Sequence, residues 1–476
     1  MARVVFRLGL GVLLAGSLAM VGETAAGGAP RSPAAVVGGP GHWTKISTGT
    51  IDIGDVPSLF RTSNHVLHVA YPKGAGTATQ IGTTAINPSG ATGAQTDILS
   101  GGWSVINATP IVMAGPSGGL RVVFGGQHDL GTGFYDDGRM YTATSTAAGT
   151  TWAISSVAVG DSHSAYGSYG TGGVALADAT PVAGFPLNSD FTWHVGTNDL
   201  PADSVYTQSG ATMYDSAMVR SGNTVWVAWF SFGNAAGNTG VFVKRIYPTV
   251  GPTLKAPGSS HGTNTLETGR VALAARAGGG IYAAYCSGYP YCGAVRLWKV
   301  GTSHSIDVPG SKYAAKIALS AAPSGRLWLA WGDNIPVVHA VRTNRAATKL
   351  GIVRNVGQPA GQPAIYSLAI DGGIGKADVV INGGSGIWHT QVLPALKLRA
   401  SPAKWHHGKS KKVTFKVSDA GDAVSGSVVR IGSKHCSTNA RGVCTVRFPA
   451  RYSRGKHIVT AKKSGYATAR GKLKVS

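Results

Sequence analysis

Two stretches decide the architecture: Val225-Trp226-Val227-Ala228-Trp229 and Leu327-Trp328-Leu329-Ala330-Trp331. Both are rich in β-branched and aromatic side chains and have no polar alternation. Successive side chains of a strand point to opposite faces, so a strand that is apolar throughout must be covered on both faces. A two-layer sandwich with one wet face would alternate apolar and polar. Radially stacked sheets, each covered by two neighbours, supply the double cover.

The sequence around these stretches repeats. A short apolar strand leads into a turn with Gly, Ser or Asn, then into a second strand ending in an aromatic. The unit reads VPSLFRTSNHVLHVAYP from Val56, ATPIVMAGPSGGLRVVFGG from Ala108 and DSAMVRSGNTVWVAWFS from Asp215. It continues as RVALAARAGGGIYAAYCS from Arg270 and KIALSAAPSGRLWLAWGD from Lys316, with weaker copies over 174–185 and 365–382. A spacing of roughly 40–50 residues is that of four-stranded propeller blades. The expectation is a six- or seven-bladed β-propeller over residues 52–394, its Trp and Tyr residues packed between blades. Within the preceding segment, 30–51, His42 to Thr48 is expected to supply a strand that closes the ring.

Composition points the same way. The 476 residues include 69 Gly and 23 Pro, only 13% are charged, and Glu occurs twice, at Glu23 and Glu267. That excludes long helical bundles and coiled coils, which need Ala/Glu/Lys/Leu-rich periodic segments. A hydrophobic share of 43%, with 11 Trp, 16 Tyr and 11 Phe, excludes a disordered chain.

Arg3 and Arg7, the apolar run LGLGVLLAGSLAMV from Leu8 and the small residues Thr24 to Gly27 form the pattern of a secretory signal peptide, placed at 1–29. The run is shorter than the ~20 apolar residues that span a bilayer, so no transmembrane segment is expected. Four cysteines fit an oxidising compartment. Cys286 pairs with Cys292 around CSGYPYC, and Cys436 pairs with Cys444 around what reads as a hairpin tip. Both gaps are wider than zinc-ligand spacing, so neither metal nor cofactor is expected.

Charge divides the chain unevenly. Residues 397–476 hold 19 Lys and Arg against two acids, Asp419 and Asp422, whereas residues 1–396 hold 24 against 18. The basic stretch, with its junction from residue 395, reads as some seven short strands, enough for a small β-sandwich. So cationic a module favours contact with an anionic surface polymer. Specific nucleic-acid recognition is not expected without an aromatic-basic platform.

Ser145 opens S-T-A-A-G-T-T-W, in which Ser145, Gly149, Thr151 and Trp152 match the Asp-box S-x-D-x-G-x-T-W and Ala147 stands at the Asp position. With the blade pattern, this resembles the sialidase-like propellers, where the box stabilises blade turns. The C-terminal stretch, with VTFKVSDAGDAVSGSVVRIG from Val413 and HIVTAKKSGYATA from His457, resembles bacterial immunoglobulin-like modules. Such modules are spacers or adhesion units.

The sialidase resemblance implies an arginine triad, a Tyr–Glu nucleophile pair and an Asp acid/base. Phe60-Arg61-Thr62-Ser63 keeps Phe-Arg of the first arginine motif and lacks Ile-Pro; Arg220 and Arg270 are the other triad candidates, and Glu267 is the one Glu after the signal. Asp136 and Asp137 read as turn formers, and His128, Asp129, His163 and His194 as loop polar residues. The segment from Asp371 to Asp378 lacks the middle acids of a calcium loop. The Ser/Tyr/Gly segment from Gly160 to Gly173 could rim a pocket or connect blades. No catalytic residue is assigned. The expectation is a secreted or surface-associated, monomeric, non-catalytic propeller that binds a glycan or an extracellular protein, with its basic module on an anionic polymer. The rival reading is a divergent glycoside hydrolase of sialidase-like type. Converging Arg, Asp and a Tyr–Glu pair in the central channel would favour the enzyme, and an apolar or Gly-lined channel the binder.

Overall fold

The computed structural model describes residues 40–476, apart from 50, 52–55, 75–79, 106–108, 130–137, 161–169, 199–201, 234–236, 260–270, 289–291, 334–336 and 374. The proposed signal peptide lies outside the described residues. No α-helix occurs among them, only strands and two three-residue 3-10 turns, Pro116–Gly118 and Pro323–Gly325. The chain is all-β: a propeller followed by a β-sandwich.

Seven antiparallel sheets form the ring, in chain order over residues 58–97, 103–154, 172–207, 211–255, 271–307, 314–357 and 367–392, here blades 1 to 7. Blade 2 has five strands because Trp103–Val105 and Ile111–Ala114 both pair along one edge of Leu120–His128. Blade 7 takes its outermost strand from the N-terminal side: Thr44–Lys45 pairs antiparallel with Ile387–Val392. Next to it, Ile46 N–H donates to Ile387 C=O at 2.9 Å and the Ser47 hydroxyl accepts from Ile387 N–H at 2.8 Å.

The unalternating strands are covered on both sides. In blade 6, Leu327, Leu329 and Trp331 face blade 5 and pack with Ala284, Val295 and Leu297. The residues between them, Trp328 and Ala330, face blade 7 and pack with Val379 and Ile381. All five are fully buried. Blade 4 repeats the arrangement, with Val225, Val227 and Trp229 toward blade 3 and Ala228 and Phe230 toward blade 5. Toward the axis the innermost strands crowd. A Cβ on Gly172 would sit 2.8 Å from Met218 of blade 4, so a larger residue there would push blades 3 and 4 apart.

The C-terminal strands do alternate. Val443–Phe448 and Ala469–Val475 bury every second residue, as one-sided sheets must. One sheet holds Lys397–Ser401, Lys411–Asp419, Asp422–Ala423 and Val443–Phe448; the other holds Lys404–Trp405, Val428–Ile431, Lys434–Ser437, Gly455–Lys462 and Ala469–Val475. Trp405, Phe415, Phe448, Val459 and Leu473 fill the space between them.

Both expected disulfides are present. Cys286–Cys292 staples the connection between the second and third strands of blade 5. Cys436–Cys444 does not close a hairpin tip: its cysteines lie on strands of different sheets, so it ties the two layers of the sandwich together. Strand Lys434–Ser437 pairs with Val428–Ile431, and Val443–Phe448 pairs with Lys411–Asp419, which leaves the segment between the cysteines to cross between layers.

Candidate binding surfaces

The innermost strands of all seven blades line a central channel of about 270 Å³. Aliphatic side chains and glycine dominate its wall, including Leu59, Met218, Leu273 and Ile370. Among the described residues its polar members are Ser58, Thr109, Thr171, Asp215 and Ser216. The Asp215 carboxylate accepts from Ser216 N–H at 3.0 Å and, across the blade boundary, from Val271 N–H at 2.9 Å. The hydroxyls of Thr171 and Ser216 are buried and, among the described residues, make no hydrogen bond.

Arg61 and the segment from Asp371 to Asp378, singled out separately in the sequence, meet. Asp371 and Asp378 are directly opposed on the first two strands of blade 7, where two like charges repel. Arg61, at the end of the innermost strand of blade 1, bridges them: Nε donates to Asp371 and an Nη to Asp378, both at 2.6 Å. His389 and Gln391 bond the other oxygen of Asp378 at 2.8 and 3.0 Å. Burial works against the charge on Asp378, but the bond and charge of His389, the Arg61 charge and the Gln391 bond outweigh it and hold the carboxyl below its usual range. Asp371 goes the other way, because the desolvation of its carboxyl, with help from Asp378, outweighs Arg61. The guanidinium therefore clamps the seam between the first and last blades and has its donors committed within the fold.

Arg220 stands near the end of the innermost strand of blade 4 and is exposed, whereas Arg61 spends its donors on Asp371, Asp378 and the His65 carbonyl. His194 is buried and bonds Asp203 at 3.2 Å, and His128 stacks on Trp103. The Asp-box-like stretch is the turn between the two outer strands of blade 2. The Ser145 hydroxyl donates to Thr151 C=O, and Trp152 Nε1 donates to Gly149 C=O at 3.1 Å. Gly149 adopts a φ of +67°, so the turn closes without an Asp at position 147. Glu267, Arg270, Asp136, Asp137, His163 and most of the Gly160 to Gly173 segment lie outside the described residues.

The acids of the C-terminal sandwich are spent on the propeller. Asp419, 1% exposed, is ion-paired to Arg342 and, at 3.2 Å, to Arg326. Asp422 takes Arg326 at 2.5 Å and the Arg345 N–H at 2.9 Å. The Arg342 guanidinium also lies over the rings of Trp328 and Tyr466, which joins blade 6 to the sandwich. The 19 Lys and Arg of the module thus have no acid of their own left free.

On the outer face of the sheet containing Lys411–Asp419, Arg399 is directly opposed to Lys416, and Lys412 to Arg447. All four are exposed, with Lys397 two residues along the same face. Composition alone reveals the excess of charge. The stacking of cation on cation depends on register, which the pattern of Lys411-Lys412-Val413-Thr414-Phe415-Lys416 hints at through its alternation.

No family model matches the sequence, and no curated protein does. Among solved structures, similarity is to polysaccharide lyase Uly1 (10% identity, 73% of this chain and 92% of the other, TM-score 0.45). It extends to a chain of the mitotic checkpoint complex (11%, 80% and 99%, 0.43). A third is the α-L-arabinofuranosidase Arb93A from Fusarium graminearum (11%, 73% and 98%, 0.41). At these scores the likeness assigns this chain no substrate.

Proposed function

We propose that the protein is a secreted, non-catalytic binder, in which the propeller receives a glycan or an extracellular protein and the basic sandwich, of immunoglobulin-like type, holds to an anionic surface polymer. The observation that carries the reading is the pair of cation-on-cation contacts on the outer face of the sandwich. Directly opposed like charges on a sheet cost stability, and here the module's own acids are turned away into the propeller. A polyanion laid across that face would offset the repulsion. The signal-peptide pattern and two disulfides support an extracellular setting. The aliphatic wall of the channel favours binding over hydrolysis.

Purified full-length protein is expected to be retained on immobilised heparin at low salt and released steeply as salt rises, because screening shortens the reach of exposed charge. The same preparation is expected to leave a fluorogenic sialoside uncleaved. Passage through the heparin matrix at low salt would remove the tethering role. Turnover abolished by Glu267→Gln would replace the binder with the hydrolase.

A further inference from the structure

A cleft of about 630 Å³ lies where the propeller meets the sandwich. Its propeller wall is built from the outer strand of blade 5 and a turn of blade 6, and carries Lys349, Leu350, Ile352 and Pro309. Its sandwich wall carries Lys397, Arg399 and Lys416. The four cations are exposed, and among the described residues none is ion-paired. The one acid among the described lining residues, Asp307, already holds Arg296 at 3.0 Å. Within the cleft Arg399 and Lys416 are directly opposed. Beside the cations lies an apolar strip, in which Ile352 is 45% exposed.

We infer that this cleft is a shared, two-module site for an anionic glycan segment, its sulfate or carboxylate oxygens on Lys349, Lys397, Arg399 and Lys416 and its ring carbons on Leu350, Ile352 and Pro309. The inference rests on the polyanion reading above and narrows it from a face to a place. The volume lies within the ~300–1,000 Å³ range of small-ligand sites. Cations at close quarters in a concave site focus the field on one stretch of polymer, which a convex charged face does not do. Among the described residues the lining contains no Phe, Tyr, Trp or His on which a base would stack, so the site favours a sugar over single-stranded nucleic acid. Lys349 gives the site its specific signature, since a propeller residue has no part in binding by the sandwich alone.

The test uses the full chain and a labelled heparin hexasaccharide, with affinity read by fluorescence anisotropy. Lys349→Glu combined with Lys416→Glu is expected to weaken binding at least tenfold, and Lys349→Glu alone severalfold. Lys456→Glu combined with Lys474→Glu makes the same change of charge at two exposed lysines away from the cleft, directly opposed on the other sheet. This control is expected to stay within about twofold. Ile352→Ser is expected to weaken the hexasaccharide but not linear polyphosphate of matched charge. Thermal melting checks that each variant folds. Equal losses in the cleft and control variants, or no effect of Lys349→Glu, would overturn the cleft while leaving the tethering role intact. Absence of hexasaccharide binding by the unaltered protein at low salt would overturn both. Tighter binding of a matched single-stranded oligonucleotide, lost in the cleft variants, would overturn the glycan assignment. Equal loss of polyphosphate in Ile352→Ser would remove the apolar contact from the argument.

Discussion

Arg61 holds two opposed carboxylates together across the seam between the first and last blades. Arg61→Ala would leave Asp378, 3% exposed, and Asp371 facing each other without the cation. Removing one partner from a largely buried cluster costs about 3 kcal/mol, because the remaining charge is left uncompensated. The pH dependence follows from the two carboxyls. Asp378 is held low, so its contribution is present above the ordinary carboxylate range and is lost as pH falls through its depressed value. Asp371 is pushed up, so its contribution is present in acid and is lost as pH rises through its raised value. Without Arg61 both carboxyls move upward. The stability deficit of Arg61→Ala is therefore expected to be largest near pH ~7 and to shrink toward pH ~4, where the carboxyls protonate. Urea unfolding at several pH values measures this, and a deficit independent of pH would mean that Arg61 acts through packing alone. In the sequence, Arg61 carried a partial catalytic motif and Asp371 to Asp378 a partial calcium loop. Their partnership was invisible there, because it is made by closing a ring 310 residues long.

At the level of strands, legibility followed solvent exposure. Leu327 to Trp331 had to be covered on both faces, and the structure divides them alternately between blades 5 and 7. Blade number was less legible, since the second strand of blade 7, Ala377–Asn382, has no aromatic and the extra strand Trp103–Val105 of blade 2 looks like ordinary loop sequence. The hairpin expected between Cys436 and Cys444 failed for a related reason: adjacent strands in sequence were assigned to one sheet, but each found its apolar partner in a different layer. A strand of only two residues completes blade 7, and its neighbour Ile46 anchors it by packing with Leu67, Tyr71, Val380 and Ile387. Ile46→Ala is expected to destabilise the propeller by about 2–4 kcal/mol, the usual cost of truncating a buried Ile. Urea unfolding followed by tryptophan fluorescence reads it. A loss below about 0.5 kcal/mol would mean that the ring holds without this staple.

Across the whole molecule, Asp419 and Asp422 couple the two modules. In the sequence they were merely the two acids of a basic stretch, and nothing in their spacing announced that Arg326 and Arg342 would claim them. Asp419→Asn would leave the Arg342 guanidinium, 7% exposed, without its counter-charge and Arg326 with Asp422 alone. The expected result is a docking contact weakened by about 3–5 kcal/mol. Calorimetry should then resolve two unfolding transitions in place of one, with faster proteolysis near residues 393–396. A single unshifted transition would place the coupling elsewhere in the contact.

The strand completing blade 7 also sets the order of assembly. Ser47 waits for Ile387, 340 residues further along the chain, before its bond forms. Chains are made from the N-terminus, so this strand is synthesised first and placed last. Until the seventh blade arrives, the partly built stack ends in bare strand edges and uncovered apolar faces, the surfaces through which β proteins aggregate. Contacts of such long range also make for slow folding. A newly made chain of this protein therefore passes through a long vulnerable interval, and holding it soluble until the circle shuts is work that falls to the cell.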